Sequence, residues 1–168
     1  MAARVFSKIA IIALCSIAGA GLWAQPSLAV SPKASGGWNF IVGKDNIPGG
    51  PGGNVTGDYE SPVDAETLTV GACTSAADAW RIDIKKTDAL WDGDLVISAR
   101  IRSPGTGDGT LTSSGTYQVL TDTSMPFLSG TGNRTGIAIQ LKVSGISIAA
   151  IKAGAYRADL VYTITDTE

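Results

Sequence analysis

A chain of 168 residues with 15 acidic and 13 basic side chains is long enough to bury one core, and its slight acidic excess gives no long-range pull toward nucleic acid or anionic lipid. It contains no histidine, which excludes a Ser-His-Asp triad, a Cys-His pair and the usual zinc sites.

Residues 1–29 have the order of a secretory signal: Arg4 and Lys8, an apolar run from Ile9 to Trp23, then the small-residue site Ser27-Leu28-Ala29. The run falls short of the roughly 20 residues that span a bilayer. A signal helix cleaved after Ala29 is therefore expected, leaving a secreted chain with no membrane attachment. Leu14 is too bulky for Cys15 to read as a lipidation site. Cys73 would then be the lone thiol, either buried as a small hydrophobe or available for an intermolecular bond; its apolar neighbourhood favours burial.

Residues 30–37 read as a short linker and 38–168 as a single domain. Trp38, Phe40 and Val42 alternate as a first strand, followed by a Gly- and Pro-rich loop over 43–62 that lacks the Gly-Lys-Ser/Thr ending of a phosphate cradle. Leu68 and Val70 mark a second strand. Trp80, Ile82 and Ile84 alternate with charged residues in a third, and Leu95, Ile97, Ala99 and Ile101 with Val96, Ser98, Arg100 and Arg102 in a fourth. Asp92-Gly93 between them is a favoured hairpin dipeptide. Tyr117 to Leu120 follows, then "TDTSMPFLSGTGNRTG" reads as a long polar connection before the alternation of Ile137, Ile139, Leu141 and Val143. Ile146 and Ile148 suggest a short strand. The final strand puts Tyr156, Ala158, Leu160, Tyr162 and Ile164 on one face, with Tyr156 as a corner tyrosine whose hydroxyl bonds back to the backbone.

Seven or eight short strands without a sustained helical period predict an all-β fold, an antiparallel immunoglobulin-like β-sandwich. Its core would take Trp38, Trp80, Ile82, Ile97, Ile139, Leu141, Tyr156, Leu160 and Tyr162. The carboxylate pairs Asp92 with Asp94, Asp58 with Glu60, and Asp64 with Glu66 fall in expected turns, where such residues serve solvation and turn geometry rather than glycoside hydrolysis. The Asp92-Gly93-Asp94 and Gly107-Asp108-Gly109 turns offer fewer than the six oxygens that calcium takes. No catalytic residue, cofactor or metal is expected. Trp91, beside the hairpin turn, is the aromatic best placed to be exposed and to stack on a sugar.

Trp80-Arg81-Ile82 in an early-middle strand and Tyr162-Thr163-Ile164 in the last strand, after Ala153-Gly154-Ala155-Tyr156, resemble the paired motifs of the WxL domain of Gram-positive cell-surface proteins. Ile82 and Ile164 stand where that family has leucine, and Tyr162 where it has its second tryptophan. The resemblance implies a noncatalytic protein held noncovalently on peptidoglycan, with Trp80, Ile82, Tyr162 and Ile164 as binding candidates beside Trp91. Pilin-like secreted sandwiches share the Ala-Gly-x-Tyr lead-in, which keeps two other readings open. One is a subunit of a surface fibre or matrix that contacts other surface proteins or itself through an edge strand; the other is a carbohydrate-binding module. No nucleic-acid partner is expected.

Overall fold

The computed structural model describes residues 11–15, 26–32, 37–43, 46–47, 53–55 and 57–167. Within them lie twelve strands: β1 (Ile11–Cys15), β2 (Ser27–Pro32), β3 (Tyr59–Glu60), β4 (Glu66–Gly71), β5 (Ala79–Leu90), β6 (Val96–Ser103), β7 (Thr106–Gly107), β8 (Leu111–Thr112), β9 (Gln118–Val119), β10 (Met125–Thr131), β11 (Arg134–Ser144) and β12 (Arg157–Asp166). One sheet has the order β1-β12-β5-β10-β8; the other runs β2-β4-β11-β6-β9, with β3 and β7 also paired to β11. Apart from the parallel β1–β12 pair, the ladders are antiparallel. The fold is an all-β sandwich, as the alternation predicts.

Period-two burial builds the core. Leu68 and Val70 of β4, Ile97, Ala99 and Ile101 of β6, and Ile137, Ile139, Leu141 and Val143 of β11 face inward from one sheet. Trp80, Ile82 and Ile84 of β5 meet them from the other, with Ala158, Leu160, Tyr162 and Ile164 of β12 beside them. One cluster takes residues from both sheets. Tyr156 sits at its margin, half-buried rather than central, and its hydroxyl donates to Lys152 O at 2.5 Å, which is the corner bond expected of it.

Several expectations need correction. Ile11–Cys15 is extended, not helical, and runs parallel to β12 from Ile11 opposite Leu160 to Cys15 opposite Ile164. The rest of the expected signal, apart from residues 26–29, lies outside the described residues. β2 straddles the expected cleavage point and takes in Val30 to Pro32 of the expected linker, because its backbone pairs with β4. The stretch Trp38 to Val42 alternates but forms no strand; Trp38 stacks on Phe40 and Phe40 on Tyr59 at centroid separations of 5.0 and 5.2 Å. The Asp92-Gly93 turn closes with Leu95 N donating to Asp92 O, yet it joins β5 to β6 in opposite sheets and so makes an arch, not a hairpin. Ile146 and Ile148 lie outside any strand, and Ile148 is exposed. Cys73 is half-buried against the core.

The stretch read as a polar connection contains β10, which pairs with β5 and buries Phe127 and Leu128. A register shift between Pro126 and Leu128 breaks the alternation there. Beside β10, the glycines of "PGTGDGT" lie directly on the main chain that follows it. A Cβ on Gly105, Gly107 or Gly109 would overlap the carbonyl oxygen of Thr135, Asn133 or Thr131 respectively. A Cβ on Gly130 would come within 2.7 Å of the Trp80 ring, whose Nε1 donates to Gly132 O at 2.8 Å. The glycines thus let two chain segments and one indole share a space too narrow for side chains.

Candidate functional site

β12 and β5 are neighbours in register, so the two motif segments do come together: Ile164 faces Ile82 and Asp166 faces Trp80. They meet in the interior. Trp80, Ile82, Tyr162 and Ile164 are no more than 2 % exposed, and a ring or methyl sealed between two sheets cannot touch a ligand. Their assignment as binding residues is therefore corrected to core packing. Trp91 is half-buried on the core rather than exposed, and its Nε1 donates to Leu95 O at 2.7 Å, bracing the β5–β6 arch.

The buried motif strand also holds a polar group. Tyr162 OH donates to Glu66 Oε2 at 2.5 Å, linking β12 to β4 across the core, and Glu66 Oε1 has no hydrogen-bond partner. Burial raises the Glu66 carboxyl to about 7, against a smaller lowering from the tyrosine bond. Burial, followed by the adjacent carboxylate, pushes Tyr162 well above its ordinary range. Glu66 therefore does not form an open acid–base pair with Asp64. Asp92 Oδ1 accepts from Asp94 N at 3.0 Å, a turn contact. Asp108 Oδ1 accepts from Asn133 N at 2.7 Å and ties two loops together. Among the described residues no group of three or more His, Cys, Asp or Glu side chains is placed to hold a metal.

The groups able to bind a ligand lie on the outer face of the larger sheet. Alternation that turns Ile97, Ala99 and Ile101 inward puts Ser98, Arg100 and Arg102 on the opposite face, and the same rule on β11 puts Gln140 and Lys142 there; Ser98 and Gln140 are nonetheless buried, so the cations are the accessible groups. Gln140 faces Arg100 in register. Its Oε1 accepts from Arg100 Nε at 3.1 Å and Nη2 at 2.8 Å, while its Nε2 donates to Ser61 O at 2.9 Å. Lys142 Nζ contacts Asp58 Oδ2 at 2.9 Å, and Arg100 Nη2 lies 3.8 Å from Glu60 Oε2. Arg100 Cζ and Lys142 Nζ lie 4.3 and 4.8 Å from the centroid of the Tyr117 ring. Burial first and the neighbouring Glu60 carboxylate second raise the Tyr117 hydroxyl. Farther along β6, Arg102 helps line an open groove of about 410 Å³ with Ile101, Pro104, Leu111 and Thr112.

The two cations over the Tyr117 ring make a surface that can hydrogen-bond sugar hydroxyls and pair with carboxylates, while the buried Gln140 amide beneath them orients Arg100. The carboxylates of this surface, Asp58 and Glu60, are half-exposed and lie against cations. None of Arg100, Tyr117, Gln140 or Lys142 stands out as a motif. The signal that could have found them is the polar phase of β6 and β11, read as a face in its own right. The sequence matches no family model and no curated protein.

Proposed function

We propose that the protein is a noncatalytic, secreted cell-surface β-sandwich that associates noncovalently with the bacterial cell envelope, with peptidoglycan as its partner. The observation that carries this reading is the outer sheet face on which Arg100 and Lys142 flank Tyr117 and Arg100 is oriented by Gln140. Peptidoglycan presents what such a face recognises: sugar hydroxyls and rings beside peptide carboxylates. The resemblance to wall-binding domains supports the same partner, although the residues that carry it pack the core, so attachment is assigned to a different surface.

Retention on purified peptidoglycan tests it. Wild-type protein should sediment with the polymer at physiological salt. Arg100→Ala combined with Lys142→Ala should reduce retention several-fold, and Tyr117→Ala should do so to a similar degree. Trp91→Ala should change retention little if it folds. Equal retention of wild type and the Arg100/Lys142 variant would remove this face from the proposal. A second reading, a subunit of a surface fibre, draws on the geometry of the β12 edge.

A further inference from the structure

We propose that the N-terminal leader is also a strand plug: residues Ile11–Cys15 cap the edge of β12, and their removal opens that edge for antiparallel pairing with β12 of a second copy. The inference rests on the secretion and cleavage reading above.

The edges of the two sheets are protected unequally. Among the described residues, β1 and β8 end one sheet, and β2 and β9 end the other. β8 and β9 are two residues each and β2 terminates at Pro32, features that keep an edge from recruiting another chain. β12 is different. It is ten residues long, it pairs along its length with β5 on one side, and on its other side β1 covers Leu160 to Ile164. Cleavage after Ala29 would release β1 and leave only Val30 to Pro32 of β2 on β4. β12 would then end its sheet as a long edge, and Leu160 to Thr165 contains no charge, proline or glycine to protect it.

A second copy fits that edge. In a two-fold antiparallel pair centred on Val161, Val161 faces its own counterpart, Asp159 faces Thr163 and Arg157 faces Thr165 on the outer face. On the inner face Leu160 meets Tyr162 and Ala158 meets Ile164. No like charges oppose each other, and two four-stranded halves become one continuous sheet. Within the full chain, intramolecular pairing by residues 11–15 occupies the same hydrogen-bonding groups, so the precursor stays single until it is processed.

The test uses the processed protein recovered from the medium of the expressing cell and the full-length chain made without export, compared by light scattering with size-exclusion chromatography. The processed form should be a dimer and the full-length chain a monomer. Val161→Lys, which sets two like charges face to face across the two-fold, should return the processed form to monomer. Ser129→Lys, at an exposed position of β10 in the same sheet, should leave it dimeric. A processed protein that is monomeric, or a Val161→Lys variant that dimerises like wild type, overturns the proposal while leaving peptidoglycan retention to be judged separately. If mass spectrometry finds the leader intact on exported protein, the cleavage reading and this proposal fall together.

Discussion

Glu66 is the residue whose chemistry is least like its surroundings: a carboxyl between two apolar sheets with a single hydrogen bond to Tyr162. Burial raises its pKa from 4.5 to about 7, so the folded chain holds this proton more tightly than the unfolded one. Its contribution to stability is fully present below about pH 4.5, is lost progressively as pH rises to about 7, and is constant above that. The loss is on the order of 3 kcal/mol, from about 1.4 kcal/mol for each unit of pKa difference. Glu66→Gln keeps the shape without the ionisation. Denaturant melts at pH 5 and pH 8 should show the variant's stability varying less between the two than the wild type's, with its advantage at pH 8. A variant that falls as steeply as wild type over this range would assign the pH dependence to another group. Tyr162→Phe, which leaves the carboxyl without a partner, should cost about 1 to 3 kcal/mol.

Elements whose two faces differ in environment were legible from alternation alone. β12 buries every second residue, and β5 does so from Trp80 to Ile84; β6 and β11 keep the same apolar phase from Ile97 and Ile137, although Ser98, Ala138 and Gln140 between those positions are buried too. β10 was not legible, because Pro126, Gly130 and the register shift between Pro126 and Leu128 erase the alternation even though the strand is paired on both sides. The converse holds at Trp38 to Val42, where alternation is present but rings stack in place of a ladder. Periodicity records which side chains leave water, not which backbones pair. For the same reason Trp80, Ile82, Tyr162 and Ile164 could be phased but not separated into core and binding surface, while the Arg100–Tyr117–Lys142 cluster depends on strand neighbours distant in sequence. The alternate glycines of "PGTGDGT" are a further case, since only the fold reveals the main chain they touch. Gly107→Ala would drive a methyl into Asn133 O, and thermal melts should show a loss of about 1 to 3 kcal/mol, as expected of overpacking. Gly115→Ala is a useful contrast: nothing lies within 4 Å, and its cost comes from a φ of 66° alone.

At the scale of the molecule, one core serves both sheets, and the chain crosses between them through short connections such as the Asp92 arch and the Gly132-Asn133 link from β10 to β11. The same wrapping keeps two surfaces apart. The outer face of the larger sheet carries the cation and aromatic cluster, and the β12 edge belongs to the smaller one, so the proposed envelope binding and the proposed self-pairing would use different surfaces. Attachment and assembly would then reinforce each other, because a dimer presents two copies of the binding face.

The bond between Tyr162 and Glu66 has one more consequence. Its proton is sealed from solvent, held between a β12 oxygen and a β4 oxygen 2.5 Å apart, and it cannot exchange with water unless the sheets part. It should therefore appear in a proton NMR spectrum as a downfield hydroxyl resonance that survives transfer into deuterated buffer far longer than surface hydroxyls do. The lifetime of that single signal would time the opening of the sandwich, giving the protein an internal clock for its own breathing without any label.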